Sequence, residues 1–373
     1  MKALFDSLII LCVGCNIHLP KDSSITYSLT ESKLWSTYPA EKDRKNKHVV
    51  LVSGDEEYRS EEVLPEMARI LSSYHGYDCT VLYAQDPSKS GIVDPNYSYN
   101  IPGLSHLEHA DIMVLFTRFR SLPDSQMAYI DNFLKEGNPV VAIRTATHAF
   151  NYSDTTHSYA HYGWNYSGKN STWHKGFGKK VLGETWYTHH GHHKHQSTRG
   201  LINDINATHP ILYGIDKNEV WGATDVYGIR QPLGNDAVIL MHGQSMDRTN
   251  PYDANDLTYG MRETDNVLSS TTPITDPEGY NPNETLPPIV RLNTYQLPEG
   301  VIGRSLTSTI GSSSDFLNEN VRKILINGVY HLTDEPVSLE SFVKLSSSYL
   351  PSQFAFKSDS YWDSIGIVIE NIN

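Results

Sequence analysis

The chain has 373 residues, 39% hydrophobic and 20% charged, a balance that argues against disorder and leaves room for one large domain or two ordinary ones. Its formal net charge of −13 argues against a nucleic-acid binder, which needs clustered cations to neutralise phosphates. Of the three cysteines, Cys12, Cys15 and Cys79, only the last lies in the body of the chain, which excludes an internal disulfide there.

In chain order the first element is a leader. MKALFDSLIILCVGC (1–15) has a basic Lys2, an apolar run from Leu8 to Val13 and a small Gly14 before Cys15. It resembles a bacterial lipoprotein signal, with cleavage before Cys15 and lipid on its sulfur, although Asp6 and Cys12 depart from that pattern. The apolar run is too short to span a bilayer. The expectation is an exported protein, periplasmic or held to the cell envelope by an N-terminal lipid. Residues 16–46 are polar with no periodic apolar face and read as a tether or a loosely docked extension.

The folded body begins at HVVLVSG (48–54), a β-rich apolar run. Ser60 then reads as the cap of a helix with Val63, Leu64, Met67, Ile70, Leu71 and Tyr74 at helical spacing. CTVLYA (79–84) and DIMVLFT (111–117) read as strands, Pro123 opens a helix that stops at Gly137, and PVVAI (139–143) is a fourth strand. The middle, 151–285, is dense in Gly, Asn, Tyr, His and Trp, and 244–288 reads as a long surface excursion. Strands return at PIVRLNTY (288–295) and VIGRSLTST (301–309), and Asp315 reads as the cap of a last helix. Val/Ile/Leu-rich strands alternating with amphipathic helices predict an α/β, three-layer, mostly parallel sheet with helices on both faces and long loop insertions. The expected boundaries are a domain over 47–335 and a C-terminal extension over 336–373.

In such sheets ligands bind beyond the carboxyl ends of the strands. Four polar clusters fall there: SGDEEYR (53–59), TRFR (117–120), RTATH (144–148) and the histidine run of ETWYTHHGHHKHQSTRG (184–200). The turn after the fourth strand offers Thr145 and Thr147 as nucleophiles, which are weak without a strong base beside them.

The ordered series SGDEEYRSEEVLPEMARIL (53–71), FTRFRSLPDSQM (116–127), AIRTATHAF (142–150), GFGKKVLGETW followed by HHG (176–191), HPILYGI (209–215), TDVYG (224–228) and GRSLTSTIGSSSDF (303–316) resembles the ThuA-like (trehalose utilisation) family. The resemblance spans roughly residues 48–332. It implies the class I glutamine amidotransferase-like fold, a flavodoxin-like layered sheet, and a link to catabolism of a sugar or keto-sugar. Amidotransferase relatives carry a nucleophilic Cys at the strand–turn–helix; here the stretch is Arg144-Thr145-Ala146-Thr147-His148, which excludes glutamine hydrolysis through a cysteine. Gly311 is followed by Ser312 where many members have His.

His189 and His190 match the family's histidine position, and His192, His193 and His195 read as rim decoration. A divalent metal, zinc in the first place, held by His189, His190 and His148 is one reading; a hydrogen-bonded loop is the other. His148, His190, Asp225 and Arg144 are the expected catalytic residues, with Asp225 orienting a histidine. Asp55, Glu56, Tyr58, Arg118, Arg120, Trp186 and Tyr227 are the expected substrate contacts. The arginines clamp an anionic group or pair with Asp55, Glu56 and Glu184. The expected partner is a small sugar or oligosaccharide, turned over by hydrolysis, elimination or isomerisation; a glycan-binding lipoprotein without turnover is the alternative.

Overall fold

The computed structural model describes residues 33–234, 236–271 and 281–372. The leader, Cys15 and most of the expected tether lie outside the described residues. The first half contains β1 (Trp35–Tyr38), β2 (His48–Gly54), α1 (Ser60–His75), β3 (Asp78–Tyr83), β4 (Ile112–Thr117), α2 (Asp124–Lys135), β5 (Val140–Ile143) and α3 (Gly176–Leu182). Then come β6 (Trp186–His189), β7 (Gln196–Ile202), β8 (Val220–Gly222), β9 (Tyr227–Ile229), β10 (Val238–Asp247) and β11 (Val267–Leu268). The last elements are β12 (Pro288–Gln296), β13 (Ile302–Ser308), α4 (Glu319–Leu332) and α5 (Asp359–Ile365).

The main sheet runs β1-β3-β2-β4-β5-β13-β12-β10-β7-β8, with β11 beside β10. From β3 through β13 every pairing is parallel. Counted among themselves, these five strands have the 2-1-3-4-5 order of a flavodoxin-like sheet. Alternation along β2 shows both faces buried. Val49 and Leu51 join a core with α1 and α4, and Val50 and Val52 join one with α2 and α3. Helices therefore cover both faces, as expected.

Beyond this centre the sheet is antiparallel. β12 and β13 are joined by the short stretch 297–301, which suits a hairpin and is too short for a parallel crossover. β10, β7 and β8 continue antiparallel, and β10 takes up residues 244–247 that the sequence assigned to a surface excursion. Trp35–Tyr38, expected in the tether, pairs antiparallel with β3 and forms the other edge.

Two expected caps are corrected. Arg59, at φ 64, precedes α1, and the Ser60 hydroxyl instead bonds Ser53 Oγ at 2.8 Å and accepts from the Asp55 amide at 3.0 Å. Asn318, not Asp315, caps α4 by accepting from the Val321 amide at 3.1 Å. Residues 336–372 are bound along α1 and α4 as a strap. Arg322 donates to the Val343 carbonyl at 2.7 Å, Glu62 accepts from the Ser352 amide at 2.8 Å, and Arg59 donates to the Ala355 carbonyl at 2.7 Å. Among the described residues no helix is long and apolar enough to cross a membrane.

Candidate active site

Three loops leave the carboxyl ends of β2, β4 and β5 side by side, next to the switch point where strand order reverses between β2 and β4. They carry Asp55–Tyr58, Arg118–Arg120 and Arg144–His148. Arg144 turns the chain at φ 44, a left-handed conformation that costs a residue with a Cβ about 1–3 kcal/mol. Its side chain holds it there. The guanidinium donates to the carbonyls of Thr309 at 2.7 Å and Asp225 at 3.0 Å, and lies between the rings of Tyr58 and Tyr227, 4.2 and 4.0 Å from their centroids. Thr145 and Thr147 are fully buried, and Cys79 is buried within β3, so none of them is presented to a substrate.

A separate two-stranded ribbon, β6 with β9, stands over this floor and pairs His189 with Tyr227. Asp225 immediately precedes it and is itself pinned from below. Asp315 accepts from the amides of Thr224, Gly311 and Ser312 at 3.1, 3.0 and 3.0 Å, and from the Thr224 hydroxyl at 2.5 Å. Ser312 thus serves this loop through its amide.

Asp225 is completely buried and gathers three groups. Its Oδ2 lies 2.7 Å from His189 Nδ1, its Oδ1 3.0 Å from His193 Nδ1, and Arg144 Nη2 lies 3.3 Å from Oδ1. Burial works against the carboxylate, but His189 and His193 overcome it and hold its pKa far below the ordinary value. An ionised Asp225 only accepts, so His189 carries a proton on Nδ1, the nitrogen that faces it. His193 is different: its Nε2 also meets Glu57 Oε1, at 3.1 Å. Burial opposes the imidazolium, yet the bonds to Asp225 and Glu57 lift its pKa to about 9. His193 is therefore a buttressing cation between two carboxylates. His189 is the more exposed of the two, with 34% of its side chain accessible against 25% for His193.

The remaining expected residues fall into distinct places. His148 is buried, packs 4.8 Å from the Trp186 ring and 4.9 Å from Phe119, and bonds Thr147 Oγ1 at 3.1 Å. Burial first, then the positive charges of Arg118 and Arg144 among its neighbours, hold its pKa well below the ordinary value. His190 donates from Nε2 to the Pro282 carbonyl and is not among the donors that converge on Asp225. Glu56, expected as a substrate contact, receives Arg118 and Arg120 instead. Arg120 is buried and also donates to the carbonyls of Arg118, Pro95 and Tyr97, so it braces the loop. Asp55 staples its own loop, accepting from the amides of Glu57 and Tyr58 and from Thr145 Oγ1 at 2.6 Å. Burial and the neighbouring Glu56 raise its pKa to about 6. Trp186, Tyr58 and Tyr227 line the floor and wall around Asp225 and Arg144. Glu57 and His193 were missed as site residues; only the backbone path decides which acid of the Asp55–Glu57 run and which histidine of the loop face Asp225.

Among the described residues, the metal-type donors that converge are His189, His193 and Asp225, all within 4.8 Å of one another; His190 and His148 are not in that group. The donor types suit zinc, but ligand atoms on a tetrahedral zinc stand roughly 3.3 Å apart. The 2.7 and 3.0 Å contacts here are hydrogen-bond lengths, and Arg144 already faces the same carboxylate. As built, the cluster fits a hydrogen-bonded dyad better than a shared ion.

No protein-family model matches the chain, and no curated protein does. Among solved structures, the chain is similar to a protein described as ThuA-like from Parabacteroides merdae, at 14% identity and TM-score 0.44 over 84% of this chain and 98% of that one. It is similar also to one so described from Bacteroides uniformis, at 13% identity and TM-score 0.44 over 82% and 100% of the two chains. An exo-β-1,4-mannosidase from Opitutaceae bacterium strain TAV5 matches at 8% identity and TM-score 0.27, over 77% of this chain and 36% of the enzyme. Similarity this distant assigns no chemistry, and the roles of the site residues rest on their own geometry.

Proposed function

We propose that this protein is an enzyme acting on a sugar or keto-sugar by acid–base chemistry, with His189 as the base and Asp225 as its orienting carboxylate. The observation that carries the proposal is the 2.7 Å contact from buried Asp225 to His189 Nδ1, which fixes the tautomer and leaves Nε2 as the nitrogen that can accept a proton. With the threonines of the turn buried, covalent catalysis by them is disfavoured. The chemistry that fits is elimination or isomerisation beside a carbonyl. His189 Nε2 takes the proton from the carbon next to the carbonyl, and the C–H electrons move to the carbonyl oxygen. Asp225 stabilises the imidazolium that forms. In isomerisation His189 returns its proton to the former carbonyl carbon while the proton of the neighbouring hydroxyl passes to the former carbonyl oxygen. In elimination the carbonyl re-forms as the leaving group departs from the β-carbon with its bonding pair and takes up the proton from His189. The sequence resemblance supplies the sugar class, and Trp186 beside His189 and His148 supplies an aromatic face for it. The leader places this enzyme, in the same reading, in a bacterial cell envelope.

The test incubates purified protein and its His189→Gln variant with a panel of neutral disaccharides and keto-sugars, after measuring bound metal. Turnover by metal-free wild type, reduced about 10²–10⁴-fold in the variant, is the expected result. Turnover that tracks stoichiometric zinc would replace the dyad with a metal centre. Binding of a sugar with no chemical change would mark a glycan-binding protein instead.

A further inference from the structure

The strap that the sequence left as a featureless extension reaches the site at two phenylalanines. Phe354 is fully buried, stacked on Tyr58 at 5.6 Å and 26° and edge-on to His193 at 5.7 Å. Its carbonyl accepts from the Tyr259 hydroxyl, and Arg59 donates to the next carbonyl, that of Ala355. The strap is thereby fixed from both sides at this point. Two residues on, Phe356 remains 53% exposed while lying against the Arg118 guanidinium, 4.8 Å from Arg118 Cζ to its ring centroid.

Flat side chains then succeed one another from the strap to the dyad. Arg118 lies 4.5 Å over Phe119, Phe119 is 5.6 Å from Trp164, Trp164 5.5 Å from Trp186, and Trp186 5.7 Å from His189. His189 is 5.2 Å from His193, which touches Phe354, and the strap closes the circuit back to Phe356. Packed against its members are the buried Asp225, Tyr58, Tyr227 and His148, with Arg144 between the two tyrosines. The rim members Phe119, Trp164 and Trp186 are only partly buried.

We propose that Phe356 is a substrate-contacting, specificity-determining residue, the strap's contribution to a socket that takes a single sugar ring end-on against its aromatic rim. This role rests on the proposal that the substrate is a sugar. A sugar ring has an apolar C–H face and a polar edge, and needs a flat apolar partner beside hydrogen-bonding groups. Phe356 is anchored through Phe354, leaves about half its surface open and begins the succession of flat side chains that leads through Arg118 to the dyad, so it meets that need at little ordering cost.

The experiment titrates the full chain with methyl pyranosides, free disaccharides and a long neutral polysaccharide, read by the fluorescence of the rim tryptophans and by calorimetry. Wild type is expected to bind one or more of the small saccharides and to prefer them, per sugar unit, to the polysaccharide. Phe356→Ala is expected to weaken that binding about tenfold with an unchanged melting temperature, and Phe356→Tyr to retain it. Equal binding by wild type and Phe356→Ala would overturn the role of Phe356 and leave the sugar reading standing. Preference for the polysaccharide would overturn the socket. Absence of binding by wild type across the panel would overturn the sugar reading itself. His189→Gln, which should bind and not turn over, separates loss of chemistry from loss of the socket.

Discussion

His193 spends both ring nitrogens on carboxylates, Asp225 on one side and Glu57 on the other, and this sets a pH signature. Its folded pKa of about 9 lies above the free value of 6.5, so its bonds stabilise the fold fully below about pH 6.5 and are lost as pH rises through about 9. The stability gap between wild type and His193→Gln, measured as urea midpoints from about pH 6 to about pH 10, should therefore close at the alkaline end. A gap independent of pH would show that His193 is neutral in the fold. Asp225 and His189 were both legible as candidates, because an acid in TDVYG and a histidine after GETW stood in a recognisable order. Their bond was not, since 36 residues separate them and only the β6–β9 pairing brings them together. His193 was legible only as decoration. The loop doubles back at Lys194, which adopts φ 63, and nothing in the local residues announces that turn.

Helix α3 shows how an element positions the site without touching the chemistry. A Cβ at Gly178 would lie 2.2 Å from the Thr147 carbonyl and 3.0 Å from Thr185, so glycine lets α3 settle on the turn that carries Arg144 and His148. Thr185 Oγ1 donates to that same carbonyl at 2.8 Å, tying the start of the ribbon to the turn. Gly178→Val should destabilise the protein by about 1–3 kcal/mol and lower turnover, checked by denaturant unfolding and kinetics in parallel. An unchanged kcat with lowered stability would separate α3 from site positioning. The parallel strands were legible because they are continuous apolar runs. The ribbon was not: β6 and β9 are four and three residues of mixed Trp, Tyr, Thr, His, Gly and Ile, too short for any period to show. The antiparallel half of the sheet was legible as strands only in part and not in direction, which the short 297–301 connection decides for β12 and β13.

At the scale of the molecule, the strap makes residues 336–372 part of one folding unit with the sheet. Glu66 takes Ser346 through its amide and hydroxyl, His75 bonds the Phe342 carbonyl at 2.8 Å, and Trp362 covers the Arg59 guanidinium at 4.8 Å. Removing residues 336–373 would uncover buried Arg59 and Tyr58 and strip Phe354 from the core, where a Phe-to-Ala change alone costs about 3–5 kcal/mol. The truncated chain should melt well below the full chain or fail to fold, as calorimetry and solubility would show; an unshifted melting point would make the strap an ornament. Its integration was illegible because its contacts are mostly backbone carbonyls and amides, which carry no side-chain pattern. The same unit delivers the dyad, its arginine floor and its aromatic rim to one end of the sheet. The central claim is that His189, oriented by Asp225, removes a proton beside a sugar carbonyl. The most direct measurement is NMR of a keto-sugar panel incubated with the enzyme in deuterium oxide. Deuterium should enter the carbon next to the carbonyl of at least one sugar with wild type and be abolished by both His189→Gln and Asp225→Asn. Incorporation that persists undiminished in His189→Gln, or none above background with wild type, would contradict the account.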